Sequence, residues 1–132
     1  MMSHVKKFWK VYAWGILITI LSCLPTDNKG SEWINIPHAD KIVHALFYGI
    51  LTALIIFSAA GTFKARPFTL NIFFYSLVLV LIFGSIMEVL QHFLIPTRYG
   101  DPADILFNIS GWVIAVVALY LRTWLVSKIT NH

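Results

Sequence analysis

Apolar residues run along this chain in four long blocks, at 8–24, 42–60, 68–95 and 105–124, with short polar stretches between them. A hydrocarbon core of about 30 Å takes about 20 helical residues to cross, and fewer at the lower limit, so every block is long enough for a span. The third is the clearest, because no charge occurs from Pro67 through Met87. Its full length exceeds a simple crossing, so it tilts or extends past the bilayer at its outer end. Helices are the required form: lipid cannot satisfy exposed backbone groups, and the period-2 alternation of barrel strands is absent. No linker, repeat or low-complexity tract separates the blocks, so residues 1–132 read as one domain. The pattern predicts an all-α, polytopic membrane protein with four transmembrane helices in a compact bundle.

Composition agrees with the pattern. With 58% hydrophobic residues, 12% charged residues and a mean hydropathy of +0.76, the chain holds more apolar surface than a small soluble core can bury. Basic residues orient it. Lys6, Lys7, Lys10, Lys64, Arg66, Arg122 and Lys128 fall on one side and Lys29, Lys41 and Arg98 on the other, seven against three, which places both termini in the cytoplasm. The net charge of +4 is mostly this topological signal. No basic stripe or interleaved aromatic platform points to nucleic acid. Trp9, Trp14, Trp33, Trp112, Trp124 and Tyr99 fall mostly near the expected interfaces and read as anchors. The single cysteine, Cys23, excludes an internal disulfide and any multi-cysteine metal site. Basic residues, an apolar core and then Ile20, Leu21, Ser22 and Cys23 also fit a lipoprotein signal peptide. An uncleaved first span is the preferred reading, because its loss would leave a three-helix remnant with a different topology.

Polar residues interrupt the blocks in a particular way. Asp40, Lys41 and His44 lead into the second, Glu88, Gln91 and His92 lie in the third, and Asp104 and Asn108 enter the fourth, with Arg98 and Asp101 between the last two. An ionisable side chain in a membrane segment is costly and faces protein interior or a site. In the topology above, all of these fall on the outer side. Within each helix they share a face, because Asp40 and His44, Glu88 and His92, and Asp104 and Asn108 are four apart and Glu88 and Gln91 three apart. At about 1.5 Å per residue, Asn108 lies roughly 6 Å below Asp104, and Glu88 roughly 10 Å below Ile95, which makes Glu88 the carboxylate expected to be most buried. A plain alternative is an interhelical lock in which Glu88, Gln91, Asn108 and His44 satisfy one another. It does not account for Arg98, Asp101 and Asp104 crowding the loop above. Gly84, and Gly111 with Ala115, are small residues suited to close helix packing, with Gly49 and Ser85 in similar roles.

The ordered series Asp40-Lys41-x-x-His44, Glu88-x-x-Gln91, Pro96-x-Arg98 and Asp104-x-x-x-Asn108-x-x-Gly111 resembles the VanZ-like family of small bacterial membrane proteins, and Ser22 to Pro25 resembles the end of that family's first span. The likeness covers roughly residues 22–121. Each piece is short; the specificity lies in their order and spacing. The resemblance implies a multi-pass protein of the bacterial cytoplasmic membrane, acting in the cell envelope, in a family named for a member linked to resistance to the glycopeptide teicoplanin. It implies no agreed biochemical activity.

Three mechanisms suit these residues. In the first, Asp40, Lys41, His44, Glu88, Gln91, Arg98, Asp104 and Asn108 line an outward polar pocket for a cell-wall precursor, an anionic lipid headgroup or a glycopeptide, with membrane lipids as the surrounding partners. Arg98 is its natural contact for phosphate or carboxylate, through bidentate donation. In the second, an intramembrane enzyme uses Glu88 and His44 as acid and base, or Asp40, His44, Glu88 and His92 hold a divalent metal. No recognised catalytic motif is present, and Ser22, Ser85 and Ser110 lack a nucleophile context, so the first reading is preferred and no cofactor is expected. The third, a transporter, lacks ionisable residues in the inner halves of the segments and any inverted repeat. The loop at 25–39, with Trp33, Ile34 and Ile36, reads as resting on the headgroups, with a cap over the pocket as the alternative.

Overall fold

Apolar character marks where lipid lies, while backbone chemistry marks where a helix stops. In the computed structural model, which describes residues 2–24, 39–60, 69–95 and 102–130, these differ at several ends. The helices are α1 (Met2–Ser22), α2 (Ala39–Ala60), α3 (Leu70–Leu94) and α4 (Pro102–Thr130). Proline sets two of the boundaries. Ile95, just before Pro96, is extended at φ −119° and ψ 99°, as the ring of a following proline demands, and its N–H closes the last turn of α3 on the Gln91 carbonyl at 3.0 Å. Pro102 opens α4, at a position where a missing N–H costs no intrahelical bond. Asp40 and Asp104 lie in the first turns of α2 and α4, where the helix dipole favours negative charge. α4 continues past the expected residue 124 to Thr130, since its polar last turn, with Lys128 over the Trp124 ring at 4.3 Å, is still good helix.

The described residues are all-helical outside their short ends, and the chain is a membrane protein. Among the described residues, three helices contain stretches long and apolar enough to cross a bilayer: Asp40–Ala60, Leu70–Leu94 and Ala103–Ile129. Only 33%, 22% and 28% of their apolar windows are buried within the protein, so the remaining surface needs lipid. α1 differs. Lys6, Lys7 and Lys10 occupy its first half, and the uncharged part at 11–22 covers only about 18 Å of rise.

Side-chain contacts establish an up-down-up-down arrangement. The Lys7 ammonium donates to the Ala59 carbonyl at 3.2 Å, pairing the start of α1 with the end of α2. At the other end of α1, Gln91 Nε2 donates to the Ser22 carbonyl at 3.0 Å. Both bonds satisfy carbonyls that a helix terminus leaves without an internal donor. The core lies between the helices and comprises Ile18, Tyr48, Leu51, Ile55, Val80 and Trp112.

Trp112 departs from the anchoring role expected for it. It is 7% exposed, and its indole donates to Ser76 Oγ at 3.0 Å, joining α4 to α3. Trp14 likewise reaches across to α2, donating to the Phe47 carbonyl at 3.0 Å. An indole N–H needs an acceptor, and here a neighbouring helix supplies it.

The closest crossing joins α2 and α4 through glycine. A methyl group at Gly111 would overlap the Ala45 carbonyl oxygen and approach the Gly49 nitrogen to 2.9 Å, and one at Gly49 would meet the Gly111 oxygen at 3.2 Å. Backbone lies against backbone here, so the two helices start side by side and carry His44 and Asn108 to the same level.

Candidate functional site

The shared end of α2, α3 and α4 gathers the polar residues. His44 comes from the first turns of α2, Glu88 and Gln91 from the last turns of α3, and Asp104 and Asn108 from the first turns of α4. His44, Gln91, Asp104 and Asn108 are all buried. One imidazole nitrogen of His44 and one carboxylate oxygen each from Glu88 and Asp104 lie within 4.8 Å of one another.

The geometry at His44 is specific. Its Nδ1 is 3.1 Å from the Asn108 carboxamide oxygen. That oxygen can only accept, so Nδ1 carries the proton. Nε2, on the opposite side of the ring, is 3.8 Å from Asp104 Oδ2. One ring nitrogen is thus committed to a structural bond, while the other turns toward the Asp104 carboxylate.

Gly84 makes this placement possible, because a methyl group there would stand 2.8 Å from Asn108 Nδ2. Tyr48 forms the floor. Its ring lies parallel to the imidazole, at an interplanar angle of 5° and a centroid separation of 6.3 Å, and it is 1% exposed. Its hydroxyl has no hydrogen-bond partner among the described residues, although it lies within electrostatic reach of Glu88. Sequence reasoning missed Tyr48. The available signal was its position one helical turn beyond His44, on the same face.

The remaining candidates are distributed differently. Asp40 and His92 are exposed and stand outside the group that His44, Glu88 and Asp104 form. His92 sits edge-on to Phe93, its ring centroid 5.4 Å away. The Lys41 ammonium lies over the Phe107 ring at 5.5 Å, beside the cluster on the α2–α4 seam. Arg98 and Asp101 lie outside the described residues, as does the loop at 25–38. The order of burial also differs from expectation. Asp104 is 8% exposed and Glu88 is half-buried, although both Glu88 carboxylate oxygens are shielded. Depth along a helix does not measure cover by neighbouring helices.

One part of the expected lock is present, His44 with Asn108, whereas Gln91 bonds instead to the Ser22 carbonyl. These bonds do not account for the gathering of two carboxylates with His44. Two large grooves run elsewhere. One of about 570 Å³ lies among α1, α2 and α3 beside Phe8, Tyr12 and Phe83, and another of about 560 Å³ lies along α2 and α4 beside Leu46, Gly49 and Ala115. Both are apolar seams on the lipid-facing surface, of a kind acyl chains fill, and the polar cluster lines neither.

Comparison of the chain with protein-family models, curated proteins and solved structures finds no match in any of the three. The likeness to the VanZ-like series therefore rests on the sequence pattern alone.

Proposed function

We propose that this chain is a VanZ-like protein of the bacterial cytoplasmic membrane that binds the headgroup of a cell-envelope ligand at the polar end of its bundle. In this reading α1 is a fourth span, both termini are cytoplasmic and the cluster faces outward, as the distribution of basic residues favours. The observation that carries it is the convergence of His44, Glu88 and Asp104 within 4.8 Å in an otherwise apolar bundle. Burying such groups is costly, and packing alone gives no reason to bring two carboxylates to one imidazole.

The ligand class follows from the donors and acceptors. Arg98 lies in the connection between α3 and α4, the elements that carry Glu88 and Asp104. Together with Lys41 it offers donors for a phosphate or carboxylate, while the carboxylates accept from hydroxyl or amine groups. A lipid-linked cell-wall precursor presents these groups at the membrane surface. A role in susceptibility to teicoplanin would follow from holding or altering such a precursor.

Binding of a lipid-linked precursor to purified protein in detergent, followed by native mass spectrometry, tests the reading. Expected is saturable binding that falls at least about tenfold in Asp104→Asn and Arg98→Ala, which corresponds to roughly 1.4 kcal/mol. A companion assay measures teicoplanin susceptibility in a host expressing either form. Equal binding and equal susceptibility for wild type and both variants, at equal protein levels, would overturn it. The same cluster also favours a second reading, an intramembrane enzyme in which His44 and a carboxylate serve as acid and base. Turnover of the bound precursor would select that reading over simple binding.

A further inference from the structure

We propose that His44, Glu88 and Asp104 form a three-ligand site for a first-row divalent cation, open on its remaining side to an oxygen of the headgroup. The proposal deepens the binding reading above and rests on it for the identity of the outer ligand.

The donor set is that of a metal centre with an open position: one imidazole and two carboxylates, contributed by three different helices. The separation of 3.8 Å between Nε2 and Asp104 Oδ2 suits two donors that each bond a cation at about 2.1 Å across a wide angle. The largest separation, at most 4.8 Å, closes with an inward shift of under about 1 Å, a distance the Glu88 stem can cover.

Asn108 supplies an independent argument. A ligating histidine characteristically donates its second ring N–H to a carbonyl or carboxylate, which fixes the tautomer and aims the bare nitrogen. His44 does this to Asn108 at 3.1 Å, and Asn108 is itself only 1% exposed. The bare Nε2 then offers its lone pair 3.8 Å from Asp104 Oδ2. A divalent ion placed among His44, Glu88 and Asp104 binds the imidazole lone pair and offsets the two carboxylate charges in an apolar surrounding. Tyr48, 1% exposed and with a hydroxyl that lacks a hydrogen-bond partner among the described residues, stands beside the group, where a metal-bound water or headgroup oxygen can engage it. The cation also reconciles an acidic cluster with an anionic ligand. It reverses the local sign, so that a phosphate oxygen can complete the coordination instead of being repelled.

The test uses full-length protein purified without chelator. Its metal content is measured directly, and Zn²⁺ and Co²⁺ are titrated into protein that has been treated with chelator. Expected is one cation per chain, with a cobalt absorption spectrum showing nitrogen coordination. Glu88→Gln, Asp104→Asn and His44→Ala should each weaken uptake at least about 100-fold, and Asn108→Ala about 10–100-fold, by loosening the imidazole. Asp40→Asn and His92→Ala should bind as wild type. A folded wild-type chain that takes up no stoichiometric metal, judged by an intact helical spectrum and a monodisperse elution profile, overturns the site even if every variant fails to fold. Undiminished uptake by Glu88→Gln or Asp104→Asn also overturns it. The two proposals separate in a final arm. Full precursor binding after chelation upholds headgroup binding and overturns the open metal site, whereas metal uptake without precursor binding upholds a metal site and removes the headgroup reading.

Discussion

An imidazole held through Nδ1 has one nitrogen left for chemistry, and at His44 the holding group is Asn108. Replacing Asn108 with alanine leaves a buried N–H without its acceptor. The expected loss is about 1–3 kcal/mol, measured as a lower unfolding midpoint in detergent. Gly84→Ala acts on the same bond from the α3 side, because the added methyl group stands 2.8 Å from Asn108 Nδ2 and must displace it. Its expected signature is weaker ligand or metal binding at a stability cost of about 1–3 kcal/mol, the usual range for overpacking. At this scale the sequence offered His44, Glu88, Gln91, Asp104 and Asn108 as a set, because each is polar in an apolar block. It could not rank them. Asp40 satisfies the same spacing rule as His44 yet is exposed at the start of α2, whereas Tyr48 belongs to the cluster although nothing in its residue type announces this.

Helix pairs set the next scale. α2 and α4 lie in backbone contact at Ala45, Gly49 and Gly111, where neither side can yield. Gly111→Val should therefore force the helices apart, with a loss of about 3 kcal/mol or more and a sharply reduced folded yield, because the obstructing atoms belong to backbone. Ala115→Val, one turn further along the same stripe, enlarges a side chain that borders a lipid-facing groove, and its unfolding midpoint should stay within about 0.5 kcal/mol of wild type. The contrast divides a stripe that reads as uniform in sequence. Trp112→Phe should cost about 1 kcal/mol through the lost bond to Ser76. The same change at the exposed Trp9 should cost almost nothing. Residue type alone made both of them anchors, since an indole suits an interface as well as a core with one acceptor, and only the location of Ser76 separates the cases. Helix ends were legible where proline set them, as at Pro96, and were underestimated where polar residues continue the helix beyond the apolar block, as after Trp124.

For the molecule as a whole, the lone cysteine provides an assay of orientation. Cys23 follows α1 at the end where Ser22 accepts from Gln91, so it shares the end of the bundle with the polar cluster. In intact cells, a membrane-impermeant thiol reagent should label Cys23 in the wild type, while a cysteine placed at Lys64 in a Cys23→Ser background should react only after permeabilisation. The reverse pattern would turn the bundle over and place the cluster in the cytoplasm. A mature chain beginning at a lipid-modified Cys23 would remove α1 as a span. Membrane class, helical form and the approximate extent of the apolar segments follow from sequence alone, because lipid imposes composition and hydrogen-bonding demands that each segment must meet by itself. The gathering of His44, Glu88 and Asp104, the burial of Trp112 and the contact at Gly111 depend on the rotation of each helix about its axis. That rotation is chosen by interhelical packing, and no segment carries it alone.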